Sequence, residues 1–248
     1  QNVLVDVITK EYHTEWIDFL IENFPDETVS MLDETVSMLG SKTPKIENYL
    51  VVLNRSLKIK LAKLLIEKQA NDSIVSMLLN YDISIFLELS EQDQRAVLEQ
   101  ASQSTKGKLG ELKYTVLTKA IVSDLNSKLS QSLQNALLYL KENNGDAASK
   151  LIQIPNKDGH NALFEAIKNN KEDWVNFIIK NFPDETVSMF QSTIQDKKNI
   201  SIIKENLKHL DKNSQIKLAK LLIPKPEGAS ILSMLFDNNI SIFLELSE

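Results

Sequence analysis

No cysteine occurs in the 248 residues. Its absence excludes a disulfide framework and any thiolate metal site, and it suits a reducing compartment. Glycine and proline are scarce, at six each. Strands joined by tight turns draw on both, so their scarcity favours helices. No apolar run approaches the roughly 20 residues of a membrane span, and no signal-peptide pattern opens the chain. Basic residues are outnumbered, 28 Lys and Arg against 34 Asp and Glu, giving a net charge of −6. Nucleic-acid affinity leans on phosphate neutralisation, so an acidic chain with no dense basic stripe is expected not to bind nucleic acid. The dinucleotide-binding glycine pattern, the P-loop and the nucleophile elbow are all missing.

What the chain has is a sentence said twice. Residues 15–32 read EWIDFLIENFPDETVSML, and residues 173–190 read DWVNFIIKNFPDETVSMF, with twelve of eighteen positions identical. IKLAKLLI at 59–66 returns at 216–223, and ISIFLELSE at 83–91 returns at 240–248. The offset is 158 in the first block and 157 in the other two. A long unit is therefore duplicated. The second copy stops early and the chain opens on Gln1, so it is read as a piece of a longer protein. We read residues 1–158 as the first copy, with a hinge in the polar run 102–110, and residues 159–248 as a truncated second copy stacked on it. The two are also compatible with one continuous solenoid.

The repeated sentence is helix, tight corner, helix. Trp16, Phe19, Leu20 and Phe24 fall at helical spacing, as do Trp174, Phe177, Ile178 and Phe182. Asn23 and Asn181 are expected to end the first helix in a left-handed conformation, and the residue before each proline is expected to be pushed out of helical geometry. Pro25 and Pro183 suit the first turn of the next helix. The Asp26-Glu27 and Asp184-Glu185 pairs follow where the helix dipole favours negative charge, and that reading outweighs acid–base chemistry. Trp16 and Trp174 are both expected to pack in the core rather than to serve as binding hot spots.

Residues 2–24 are read as a helix pair, NVLVDVITK and TEWIDFLIENF, with a corner near Tyr12 and His13, and Gly40 to Pro44 as a break. Further paired helices are expected at 46–53 with 56–68, at 71–80 with 83–90, and near 92–103, 111–127, 131–142 and 146–154. DETVSML occurs at 26–32 and again at 33–39. Seven residues make nearly two helical turns, so this inner duplication keeps the apolar face almost in phase. The lysines of SLKIKLAKLLIEK are expected to form a solvated face whose stems cover apolar surface.

At 158–179 the chain reads DGHNALFEAIKNNKEDWVNFII. This resembles an ankyrin repeat. Asp158 and Gly159 match its turn. Ala162, Leu163 and Ala166 match its first helix, and Val175, Ile178 and Ile179 match its second. Asn161 and Phe164 replace the usual Thr and His, so the pairing those residues make in the family is absent. A weaker echo stands at 227–232, and NALLYLKENN at 135–144 mirrors NALFEAIKNN at 161–170. The resemblance implies an all-α solenoid of ankyrin-like antiparallel helix pairs that binds another protein. The abundance of Ile, Asn and Lys is similar to that of AT-rich genomes, such as those of obligate intracellular bacteria rich in ankyrin-like proteins. Location in the cytoplasm, or delivery into a host cytoplasm, is the matching expectation.

The expected partner-binding residues are Asn156, Lys157, Asp158 and His160, at the tip before the clearest unit. No catalytic residue, cofactor or metal is expected. His13, His160 and His209 stand in no metal-ligand spacing and are read as surface residues. A helical part of an effector or toxin whose catalytic residues lie elsewhere, and a structural spacer, are the alternative readings.

Overall fold

The structure, a computed structural model, describes residues 14–39, 50, 53–68, 72–103, 115–123, 127–225 and 228–239. The helix expected before residue 14, the break at 40–44, most of the 46–53 helix, most of the 102–110 hinge and the final ISIFLELSE lie outside the described residues. Among the described residues the secondary structure is helical, with no strand. None of their helices is long and apolar enough to cross a membrane. The chain divides into two compact units, residues 1–109 and residues 110–248.

In the first unit, α1 (Thr14–Asn23) and α2 (Pro25–Leu39) hold the first occurrence of the repeated sentence. They are followed by α3 (Arg55–Glu67), α4 (Asp72–Tyr81), a 3-10 segment (Ile83–Glu88) and α5 (Glu91–Gln103). α3 is the hub. It buries Leu57, Leu61, Ala62, Leu64, Leu65 and Ile66, and it packs against α1, α2, α4 and α5. Both DETVSML segments lie within the single fifteen-residue α2, as their near-equal phase requires.

Residues 83–88 depart from the expected α-helix. Asp82 accepts from the Ser84 amide, and Ser90 accepts from the Asp93 amide ahead of the next helix. Only seven residues lie between Asp82 and Ser90. That span suits the tighter 3-10 winding, which still buries Ile83, Ile85 and Phe86.

The second unit runs α6 (Val116–Val122), α7 (Ser127–Asn143), α8 (Gly145–Gln153), α9 (Ala162–Lys168), α10 (Glu172–Asn181), α11 (Pro183–Thr193), α12 (Lys197–Leu207), α13 (Lys212–Leu222) and α14 (Ala229–Asn238). Here α9 is the centre. It is only seven residues long, yet six of them are buried, and it touches α6, α8, α10, α11 and α12. Ala162 and Ala166 are the small residues that such crowding needs. Just past α9 and its cap Asn169 stands Asn170, whose φ is +56°. The Lys171 amide donates to the Ala166 carbonyl at 2.9 Å and the Asn170 amide to the Ile167 carbonyl at 3.1 Å. This is the paired closure of a helix C-terminus around a left-handed residue.

The two copies repeat in detail. α10–α11 corresponds to α1–α2, α13 to α3, and α14 to α4. Thr28 donates its hydroxyl to the Phe24 carbonyl at 2.6 Å, and Thr186 donates to the Phe182 carbonyl at 2.7 Å. Asn54 caps α3, and Asp211 caps α13.

The corners correct one expectation and bear out the other. Asn23 and Asn181 are not left-handed. Each stays in its helix and donates its side-chain amide to a carbonyl four residues back, Phe19 at 2.9 Å and Phe177 at 2.8 Å. The residue that leaves helical geometry is the one before proline. Phe182, at φ −134° and ψ 58°, both closes α10 and opens α11. Steric pressure from the following proline ring displaces that residue, so no left-handed stop is required.

Candidate interaction surface

The tip before α9 is built by Asn156. Its backbone amide donates to the His160 carbonyl at 2.9 Å, and its carbonyl accepts from the Gly159 amide at 2.9 Å. Its side-chain oxygen accepts from the Asp158 and His160 amides, each at 3.0 Å. The loop so closed turns through Gly159 at φ +79°, a conformation open to glycine without strain. Lys157 and Asp158 project from it and are exposed.

Of the four residues expected at a binding tip, these two are therefore available. Asn156 is buried and committed to the loop. His160 corrects the surface reading given to the histidines. Its side chain is only 12% exposed, Nδ1 lies 2.8 Å from Glu165 Oε1, and its ring packs 4.2 Å from that of Phe164. His209 is exposed, and His13 lies outside the described residues.

Glu165 is the residue that sequence reading missed. It sits at 1% exposure in the middle of α9. Oε1 accepts from Asn156 Nδ2 at 3.2 Å in addition to meeting His160. Oε2 accepts from Asn169 Nδ2 at 3.0 Å and lies 3.6 Å from Lys168 Nζ. A buried carboxylate is tolerable when its lone pairs are satisfied and a cation is near, and both conditions hold here. A lone Glu within the apolar run ALFEAI was the available signal. Asn161 does the matching work at the helix start. Its side-chain oxygen caps the Phe164 amide at 3.0 Å, and its amide donates to the Met189 carbonyl and to Thr193 Oγ1, tying α9 to α11.

Two open depressions border this framework. One lies beside the tip, where Asp158 and Gly159 meet Gln195 and Asp196 from the turn between α11 and α12 and Lys197 and Lys198 from the start of α12. The other is a groove between α7 and α10. Its wall includes Gln131, Gln134 and Lys180, and Trp174 donates its indole N–H to Ser130 Oγ at 3.1 Å. Lys217 of α13 reaches Asn176 at its rim.

The tryptophans separate. Trp174 is 2% exposed, as expected of a core residue, and lies under α7. Trp16 is 55% exposed, so the core reading is corrected for the first copy. The two segments carry the same aromatic arrangement. Trp16 and Phe19 meet edge to face at 5.7 Å, and Trp174 and Phe177 at 5.6 Å. What differs is the neighbour. A covering helix has no mark in the sequence it covers, so nothing in residues 15–32 distinguished the two fates.

The electrostatics of the described residues is mostly surface pairing. Lys60 reaches Asp18 at 2.5 Å and Glu22 at 2.8 Å, and the hydrogen bonds to Asp18 and then Glu22 raise its pKa. The lysine-rich α3 thus spends Lys60 on α1 rather than leaving it solvated. Asp211 is held below the ordinary carboxylate range, chiefly by the hydroxyl of Ser214. Among the described residues no group of three His, Cys, Asp or Glu side chains is placed to hold a metal ion. Comparison of the chain with family models, with curated proteins and with solved structures finds no match.

Proposed function

We propose that the chain is a non-enzymatic protein-interaction scaffold built from ankyrin-like helix pairs. The observation that carries this reading is the division of labour around α9. Asn156, His160, Asn161 and Glu165 are spent on holding the tip, while Asp158 stands with Lys197 and Lys198 around one open depression and its neighbour Lys157 is exposed. Successive tips brought side by side are what a repeat stack offers a partner. The Asp158-Gly159 turn, the short alanine-bearing α9 and the apolar face of α10 supply the ankyrin-like features.

The test is site-specific photocrosslinking. Benzoylphenylalanine at Lys157 or Lys197 is expected to trap a discrete partner from lysate of the source or host cell. The same probe at Lys208, at the opposite end of α12, is expected to trap none. The pair Lys197→Glu and Lys198→Glu should abolish the product without lowering the melting temperature. Equal, diffuse labelling from all three positions would remove the scaffold reading in favour of a spacer.

A further inference from the structure

The aromatic face of α1 has a counterpart whose cover can be seen. In the second copy, Trp174, Phe177 and Phe182 are 2%, 9% and 0% exposed. α7 supplies that cover. Ser130 accepts the Trp174 indole N–H, and eleven residues later Lys141 lies 5.1 Å from the centre of the Phe182 ring and donates to the Asn181 carbonyl. The buried residues of α7 are Leu129, Leu133, Ala136, Leu137 and Leu140, and the helix packs on α6 and α8 as well as on α10. In the first copy, Trp16, Phe19 and Phe24 keep the same ring contacts, 5.7 Å and 5.8 Å between centroids, yet are 55%, 45% and 44% exposed.

This face is not built as an end cap. A capping repeat turns a polar surface to solvent, whereas α1 turns out three large aromatic rings in one contiguous patch, the mark of an interaction site. The second copy also points to the occupant. Lys141 lies over the Phe182 ring and donates to the Asn181 carbonyl at the end of α10. The matching cation would lie at the Phe24 ring and the α1 C-terminus, since Asp18 and Glu22 are already paired with Lys60.

We propose that the Trp16–Phe19–Phe24 face is a docking site for an amphipathic helix of the α7 type. Such a helix has a Leu/Ala stripe, a hydroxyl side chain that accepts from the Trp16 indole, and a lysine eleven residues later over Phe24. The site is independent of the depression at the Lys157–Asp158 tip, so either reading can fail alone.

The experiment titrates the full chain with a hydrocarbon-stapled peptide of residues 127–143, stapled because a free peptide of that length is only marginally helical. The readout is the Trp16 indole N–H resonance, assigned by its loss in Trp16→Phe. A saturable shift of that resonance is expected, with the Trp174 resonance unmoved. Trp16→Ala or Phe24→Ala, each at an exposed position, should weaken binding at least tenfold. A peptide carrying Leu137→Asp or Lys141→Glu should do the same against the unaltered protein. No shift at saturating peptide would overturn the proposal. So would a shift that appears only after removal of residues 1–13, which would make those residues the occupant. Concentration-dependent dimerisation abolished by Trp16→Asp would assign the face to a second copy of the chain and overturn it equally.

Discussion

Lys225 Nζ lies 3.2 Å from Asp184 Oδ1, and this pair repeats the one that joins Lys68 to Asp26 at 2.7 Å in the first copy. Each joins the second helix of the repeated sentence to the lysine that follows the α3 or α13 segment. The Asp184 side chain is 83% exposed, so solvent screens the attraction and the pair marks the register without enforcing it.

Lys225→Met and Asp184→Asn, singly or together, are therefore expected to leave the melting temperature within error. Thr186→Val removes a buried hydroxyl that donates to the Phe182 carbonyl. It should cost about 1 kcal/mol in urea unfolding. A larger loss from the ion pair than from the threonine would show that charge sets the register after all.

The Glu165 network orders three further variants. Glu165→Ala strands Asn156, His160 and Asn169, and should cost about 3–5 kcal/mol, the usual effect of breaking a buried ionic group's pairing. His160→Ala removes one of those partners and should cost about 1–3 kcal/mol. Lys157→Ala, on the exposed tip, should stay within about 0.5 kcal/mol. Urea unfolding of the three checks the order, and equal small losses would show that the network adds nothing.

Two glycines should respond in opposite senses. A Cβ on Gly228 would stand 2.9 Å from Leu222 Cβ and 3.0 Å from the Leu222 carbonyl oxygen. The backbone must move to admit it, so Gly228→Ala is expected to cost about 1–3 kcal/mol. A Cβ on Gly145 meets nothing within 4 Å. Gly145→Ala, at the first position of α8, should stabilise by about 0.4–1 kcal/mol through the unfolded chain. Thermal melting of both variants separates steric contact from chain entropy.

Asp211 gives the pH dependence a sign. The Ser214 hydroxyl holds its folded-state pKa below the ordinary value of 3.8. The unfolded chain therefore binds this proton more tightly. The stabilisation is complete above pH 3.8 and is lost as the pH falls through the lower folded-state value. Carboxyl NMR titration should place Asp211 below 3.8, and Ser214→Ala should return it towards that value. An unchanged titration in Ser214→Ala would refute the assigned cause.

The helices were legible because their apolar spacing is strong and local. Pro183 at a helix start and the Asp184-Glu185 pair point to structure within a few residues of themselves. What could not be seen depends on distant neighbours. Trp16 and Trp174 sit in almost identical sentences, yet α7 buries only the second. Asn156 looks like any polar loop residue until its side chain is found accepting two amides inside the turn. The left-handed stops expected at Asn23 and Asn181 were misplaced because the following proline had already dictated which residue must leave the helix.

The corners themselves carry a last consequence. Phe24, Asn144 and Phe182 are each the single residue between two helices, α1 and α2, α7 and α8, α10 and α11. A protease must draw a run of chain into an extended form within its cleft before it can cut, and exposed loop tips are where nicking concentrates. A one-residue corner offers no such run without unwinding a helix on either side. Digestion under native conditions should therefore spare these three corners and release each helix pair as a whole piece.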